Sequence, residues 1–436
     1  MSVDSQLTGV TLKKEHELEA LRGFAALLVM VSHVIGYGKF IDPGFFPHRL
    51  VKIYDGGHEM VLIFLLLSGF VIAISSKATS SVSAVQLYIK KRFVRIYPIY
   101  LLSLLVTLII GTTKYQWLTI LSNLVFTNVF FSNVMLDNGP VWSLHYEVIF
   151  YLLFIPIFYY KLHPIKIGCF AFILGLTFVL TSAHTNIISP ASYCFGFCFW
   201  TTGVIIARYF IDKDLKPIDY VKLLGYLFLL MSLSYFDVSS SILQKAARFI
   251  LRHPMVYYYD GNINHWFKIA FSFSDFVYLP YCFVGILLFT NSKFKYKSAI
   301  ILIVQILPTY SLVNLALIYK WHTLNFFMPV LFYGLSWVLF FFRIGFLKKI
   351  SIWCLEFLAW TGEISYAIYL FHIPMLLLFN RLHFFSGSLF SFSVRTFLYV
   401  ALTYFVAYLV EKKYQVQLKK LLFKKKNSET ISSSRH

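Results

Sequence analysis

Charge and acid are what this chain has least of. Only 13% of its 436 residues are Asp, Glu, Lys or Arg, about half the share in ordinary soluble domains, and 58% are hydrophobic. So few charges cannot clothe a water-soluble globule of this length, which excludes the soluble classes. Acidic residues number 19 against 39 basic, a formal charge of +20. A nucleic-acid partner is nevertheless excluded. The basic residues lie in short segments between apolar runs and at the C-terminal end, where they orient a membrane protein rather than form a groove-facing patch. Cysteine is scarce as well. Cys169, Cys194, Cys198, Cys282 and Cys354 all sit inside apolar runs without zinc or redox spacing, so no metal site is expected. The first sixteen residues are polar and no small-residue cleavage site follows the first apolar run, so no cleavable signal peptide is expected. Neither an internal repeat nor a soluble second domain is visible.

What the chain does have is long apolar runs and aromatic weight, with 47 Phe, 30 Tyr and 8 Trp and a mean hydropathy of +0.71. These suit lipid-facing surfaces and interfacial belts. The expected fold class is an all-α polytopic membrane protein, a bundle of about 10–12 transmembrane helices with both termini cytoplasmic. Residues 1–410 would form the transmembrane domain and 411–436 a basic cytoplasmic tail. Twelve candidate spans can be drawn: 18–37, 58–76, 96–112, 141–160, 165–182, 192–211, 219–236, 275–291, 298–319, 326–342, 360–380 and 392–410. With the N-terminus inside, the cytoplasmic segments hold 28 of the 39 basic residues. The stretch 117–131 is too interrupted by Ser122, Asn123, Thr127 and Asn128 to count as a span. One outside loop, about 237–274, carries Tyr257, Tyr258 and Tyr259 beside Asp260, Asn262 and Asn264. That run reads as an interfacial loop or as a sugar-binding surface.

Ionisable side chains inside the apolar runs are the candidates for chemistry, because such groups are expensive in a bilayer. Arg22 and His33 lie eleven residues apart on one helix, three turns and about 16 Å, so they share a face. Arg92 and Arg95 in KKRFVRIYP (90–98) are three apart and share a helical face, with Pro98 opening the next span. Two guanidinium forks so placed bind phosphate oxygens, and the polyphosphate acyl carrier of the cytoplasm is coenzyme A. Glu147 in PVWSLHYEVIFYLL lies about 9 Å inside one membrane edge, and His33 reaches a similar depth, about 8 Å from that edge. A buried carboxylate and imidazole at one depth are expected to pair. His372 in EISYAIYLFHIP belongs to the same outer half, two turns above Ser365 and Tyr366. Ser68 and Gly69 fall near mid-membrane in LLLSGFVI, a small-residue pair that brings helices together or lets a long ligand pass.

These pieces resemble the acyltransferase-3 family of integral-membrane acyltransferases. The resemblance rests on Arg22 with His33, LLLSGFVI at 65–72, KRFVRIYP at 91–98, WSLHYE at 142–147 and SYAIYLFHIP at 365–374, in the family's order and over nearly the whole chain. It implies an O-acyltransferase of a bacterial plasma membrane. The enzyme would move an acyl group, usually acetyl, from cytoplasmic acyl-CoA to a carbohydrate or glycolipid such as O-antigen or exopolysaccharide. No permanently bound cofactor is implied. Carried over, His33 is the catalytic histidine and Glu147 its acidic partner. Arg92, Arg95 and Arg22 are donor contacts, and Ser68, Ser143 and His372 line the site. Whether His33 acts as general base or forms an acyl-imidazole stays open. Glu19-Ala20 departs from the family's commoner Asp-Gly before Leu-Arg-Gly. A proton-coupled secondary transporter would also bury His and Glu, but no repeat or paired broken helices support it. A non-catalytic component of a polysaccharide-export assembly would not need His33 with Arg92 and Arg95.

Overall fold

The computed structural model describes residues 3–47, 56–76, 81–185, 189–210, 218–236, 243–251, 263–292, 295–318, 324–342 and 345–424, with helices as the regular elements among them. In chain order these are α1 (Val3–Gly36), α2 (Gly57–Ser75), α3 (Val82–Ile110), α4 (Trp117–Leu124), α5 (Asn128–Phe131), α6 (Trp142–Tyr159), α7 (Pro164–Thr185), α8 (Ser189–Tyr209) and α9 (Tyr220–Phe236). They continue as α10 (Gln244–Leu251), α11 (Ile263–Lys268), α12 (Leu279–Phe289), α13 (Lys297–Ile306), α14 (Pro308–Ile318), α15 (Leu324–Phe341), α16 (Gly345–Glu363), α17 (Ser365–Arg381), α18 (Leu389–Tyr408) and α19 (Gln415–Lys424). Large apolar side chains such as Phe170, Leu317 and Phe397 stand exposed on the outside of the bundle, as lipid-facing residues do. The chain is an all-α polytopic membrane protein.

Eight of the described helices are long and apolar enough to cross a membrane, or nine if the bent pair α15–α16 is one span. The expected ten to twelve is reached only if the shorter apolar segments Tyr220–Leu233 and Leu279–Phe289 cross too. Several expected spans are redrawn. The run 298–319 keeps one candidate crossing, Lys297–Asn314, made of α13 and α14 with an interruption at Leu307, whereas 360–380 straddles the boundary between α16 and α17 at Ile364. Residues 345–359 fall between the expected spans 326–342 and 360–380. They form most of α16, which packs extensively on α1. The interrupted stretch 117–131 is α4 and α5.

Close crossings hold the bundle together. A Cβ added at Gly69 would lie 1.9 Å from the carbonyl oxygen of Trp200, and one at Gly203 would lie 2.0 Å from that of Leu66, so α2 and α8 touch backbone to backbone. The same contact joins α1 to α16, where Gly23 meets the Leu358 carbonyl and Gly362 that of Glu19, each at 1.9 Å. Without a hydrophobic drive between helices in lipid, such close packing is a main source of association. Gly203→Ala is therefore expected to destabilise the fold by about 1–3 kcal/mol through overpacking. Gly334→Ala, with nothing within 4 Å of its added carbon, should be neutral; thermal inactivation of the two variants in detergent checks this.

Two prolines shape the site. Pro98 does not open a span as its motif suggested. It lies inside α3, which begins at Val82 and carries Arg92 and Arg95 in its interior. A helical proline leaves the carbonyl four residues earlier without its N–H partner. For Pro98 that is Val94, whose oxygen accepts from Gln415 Nε2 at 2.8 Å. For Pro374 in α17 it is Leu370, whose oxygen accepts from Ser103 Oγ and Asn138 Nδ2, both at 3.1 Å. Each orphaned carbonyl is thereby satisfied by side chains of another segment, which fixes α3 against α19 and α17 against α3.

Candidate active site

A cavity of about 180 Å³ lies among α1, α2, α3, α6 and α17. Its partly exposed end is formed by Arg22, Arg92 and Arg95. Arg92 donates to Ser75 Oγ at 2.8 Å and lies over the Tyr88 ring, while its buried Nε has no hydrogen-bond partner. Arg95 donates to Glu411 at 2.9 Å and lies over the Tyr366 ring, 5.8 Å from its centre. Arg22 is paired with Glu19 one turn away on α1. Three guanidinium groups thus converge on one opening, each with donors to spare.

Inside the opening the wall turns polar. Glu147 Oε1 accepts from Ser68 Oγ at 2.7 Å and from the Tyr151 hydroxyl, and the Trp200 indole N–H donates to Ser68 at 3.3 Å. Among the described residues Glu147 Oε2 has no hydrogen-bond partner, and Glu147 lines the cavity. Ser68 and Gly69 therefore divide the two expectations for this pair, the glycine making the helix contact and the serine facing the cavity. The far end is closed by Ser143 and Tyr369. The Tyr369 hydroxyl donates to the Pro140 carbonyl at 2.6 Å and accepts from Ser143 Oγ at 2.7 Å.

Beyond Tyr369 stand the two histidines. The His372 ring centre is 5.9 Å from that of Tyr369 and 5.0 Å from that of His33. His33 Nδ1 lies 2.8 Å from the Val29 carbonyl and 3.3 Å from His372 Nε2. A carbonyl only accepts, so Nδ1 carries the proton in the neutral ring and Nε2 is left with its lone pair. His372 is held the same way. Its Nδ1 donates to the Tyr369 carbonyl at 2.7 Å, which leaves Nε2 to accept from His33. His372 is fully buried, and Tyr399 donates to its backbone carbonyl. The arrangement presents one basic, nucleophilic nitrogen, with a second imidazole placed to share the charge when that nitrogen takes a proton.

The expected pairing of Glu147 with His33 is not what the structure has. Glu147 turns towards α2, and its carboxylate is occupied by Ser68 and Tyr151. The partner of His33 is His372. Arg22, Ser68, Arg92, Arg95, Ser143 and Glu147 share the cavity, and His33 with His372 form a separate cluster behind Tyr369. Sequence reading passed over Tyr151 and Tyr369, although each is one helical turn from a residue it singled out. It also missed Glu411, which has no local signal.

Asp42 and Arg395 were missed too, and they tie together the ends of the two helices that carry the histidines. Buried Asp42 accepts from the backbone N–H of Gly44 and Gly387 and from Ser391 Oγ. Buried Arg395 donates to the carbonyls of Ile41, Phe379, Leu382 and Phe384. His145, inside WSLHYE, bridges the Phe126 carbonyl and the Tyr193 hydroxyl and holds the α4–α5 turn against α8. Residues 257–262 of the aromatic loop lie outside the described residues. Among the described residues no group of three His, Cys, Asp or Glu is disposed to hold a metal.

Comparison with known proteins gives two matches. A family model described as an acyltransferase domain matches residues 15–244. The chain is also similar to Acyltransferase MdmB of Streptomyces mycarofaciens, 30% identical over 161 residues, which is 34% of this chain and 40% of that protein. The match thus spans well under two thirds of that relative's length. No solved structure matches.

Proposed function

We infer the function from one premise: this chain belongs to the acyltransferase-3 family, whose model covers more than half of it. The reading is a membrane O-acyltransferase. It moves an acyl group, acetyl in the simplest case, from cytoplasmic acyl-CoA to a hydroxyl of an extracytoplasmic or lipid-linked carbohydrate, in the plasma membrane of a bacterium. Both termini are then cytoplasmic, with Arg92 and Arg95 at the inner side. One observation carries this reading. Arginines line a cavity among the helices that also holds Ser68 and Glu147, and an imidazole nitrogen with a free lone pair stands beyond Tyr369.

The donor's phosphates would meet Arg92, Arg95 and Arg22, and its pantetheine arm would run past Ser68, Glu147 and Tyr151. The unoccupied Oε2 of Glu147 is an acceptor for an amide N–H of that arm. Tyr369 must swing from Ser143 and Pro140 for the thioester to reach His33, a rotation about a side chain held by two hydrogen bonds. His33 Nε2 then takes the proton of the acceptor hydroxyl as its oxygen attacks the thioester carbonyl. The C–O bond forms, the C–S bond breaks, and the thiolate leaves with the proton that the imidazolium returns. The same lone pair serves if the acyl group first rests on Nε2 and is then passed to the hydroxyl.

The deciding experiment incubates membranes containing this protein with acetyl-CoA labelled on the acetyl group. Label is expected in a surface glycan, and label trapped on the protein identifies the acyl-histidine route. Failure to consume acetyl-CoA or other acyl-CoA donors with glycan-bearing membranes present would sink the reading and put proton-coupled transport first. Arg92→Ala is expected to raise KM for acyl-CoA about tenfold, the value of a charge-assisted hydrogen bond, with kcat little changed. A donor-concentration series checks it.

A further inference from the structure

The donor end of the cavity is not built from residues 15–244 alone. After α18 the chain makes a π-helical turn, Leu409–Tyr414, before α19. Turns of this kind shift side chains around a helix and recur at functional sites. Here the turn aims Glu411 inward, 3% exposed, against Arg95 of α3, 316 residues earlier in the chain. Lys412 beside it points away and pairs with Glu363 at 2.5 Å. One turn on, Gln415 occupies the Val94 carbonyl that Pro98 leaves without an N–H and also donates to the Arg95 carbonyl at 3.2 Å. The segment is thus docked at the backbone break that lies beside the arginines.

We propose that Glu411 is a positioning residue for the acyl donor, fixing the Arg95 guanidinium so that its free edge faces the donor phosphates. This rests on the acyl-CoA reading above. The guanidinium is a planar fork of five donors. Nη1 is committed to Glu411, one face lies on Tyr366, and Tyr366 is itself anchored through its hydroxyl to the Ile96 carbonyl. An edge contact and a face contact together fix the plane of the fork, and the remaining donors are left at the cavity opening. Stability alone is a poor explanation for the pair. Burying a carboxylate loses its hydration, Glu411 Oε1 recovers no hydrogen bond, and apolar substitutes for such pairs are often neutral or better. What the pair does achieve is to hold a cation in one orientation and balance its charge while no phosphate is bound.

The test measures KM and kcat of the full chain with two donors, acetyl-CoA and acetyl-pantetheine, which lacks the phosphates. Glu411→Ala is expected to raise KM for acetyl-CoA about tenfold and leave kcat within about twofold. KM for acetyl-pantetheine should not move. Glu411→Gln, whose amide oxygen still accepts from Nη1, should recover most of the loss. In an Arg95→Gln background, where the glutamine keeps a donor for Glu411, Glu411→Ala should add nothing. The proposal is overturned if Glu411→Ala raises KM for both donors alike, lowers kcat alone, or adds its full effect to Arg95→Gln. A lowered KM for acetyl-CoA would overturn it too, since Glu411 would then compete with the phosphates. If Arg95→Gln by itself leaves KM for acetyl-CoA unchanged, the phosphate site is misplaced whatever Glu411 does.

Discussion

His33→Ala is expected to lower acyl transfer about 10³-fold while the protein still accumulates, folded, in the membrane. The magnitude is that of removing a positioned general base. The side chain is only half-buried, and its protein hydrogen bonds are to Val29 one turn below and to His372. Its loss leaves the close crossings of α1 with α16 and of α2 with α8 intact. His33→Gln should be equally inactive, since an amide nitrogen has no lone pair available to take a proton. Label transfer from acetyl-CoA, scored beside the amount of folded protein in detergent, separates chemistry from folding. Turnover near the starting level by either variant would remove His33 from the reaction.

Loss of His372 should be the next largest effect, and it discriminates between two partners for His33. His372→Ala is expected to lower kcat by roughly 10²-fold and leave KM for the donor unchanged. The Val29 carbonyl still fixes the tautomer of His33, so only the second acceptor for the developing imidazolium is lost. A hydrogen bond to a charged group is worth about 1.5–3 kcal/mol, or roughly 10- to 150-fold. Because His372 is fully buried, Ala also leaves a void; His372→Gln keeps the volume and an acceptor oxygen and should recover part of kcat. Glu147→Gln should behave in the opposite way, raising the donor KM with kcat nearly kept, because its carboxylate borders the donor path and not the imidazole. The reverse pattern, kcat lost with Glu147→Gln and kept with His372→Ala, would mean that Glu147 and His33 meet during turnover after all.

The residues of the site were largely legible before any coordinates, and the partnerships among them were not. Charge scarcity and long apolar runs were enough to establish a polytopic helical bundle. Arg22, Ser68, Arg92, Arg95 and Glu147, picked out as ionisable or small residues in apolar surroundings, line one cavity, together with Ser143, which the family resemblance supplied. His33 and His372 do meet each other. Counting residues gives only an expected depth along each helix axis, since backbone hydrogen bonds fix the rise at about 1.5 Å per residue. Which way each side chain turns at that depth is a matter of how one helix is rotated against another. That rotation is set by contacts such as Gly69 on Trp200 and Gly23 on Leu358, between segments more than a hundred residues apart.

The same limit explains the redrawn spans and the unread residues. Hydropathy sums over a window and cannot see that α16 ends and α17 begins at Ile364, or that Lys348 and Lys349 belong to a helix packed on α1. Glu411 looked like the first charge of a tail, because nothing within a few turns of it marks a partner; the partner is on α3. Pro374 comes nearest to an exception, since a proline inside a helix announces an orphaned carbonyl from sequence alone. Sequence by itself therefore determined the helical bundle and the chemical inventory. Only the tertiary structure decided that His33 answers to His372, that Glu147 answers to Ser68 and Tyr151, and that Arg95 answers to Glu411, because depth follows from local backbone bonding and direction from packing between distant helices.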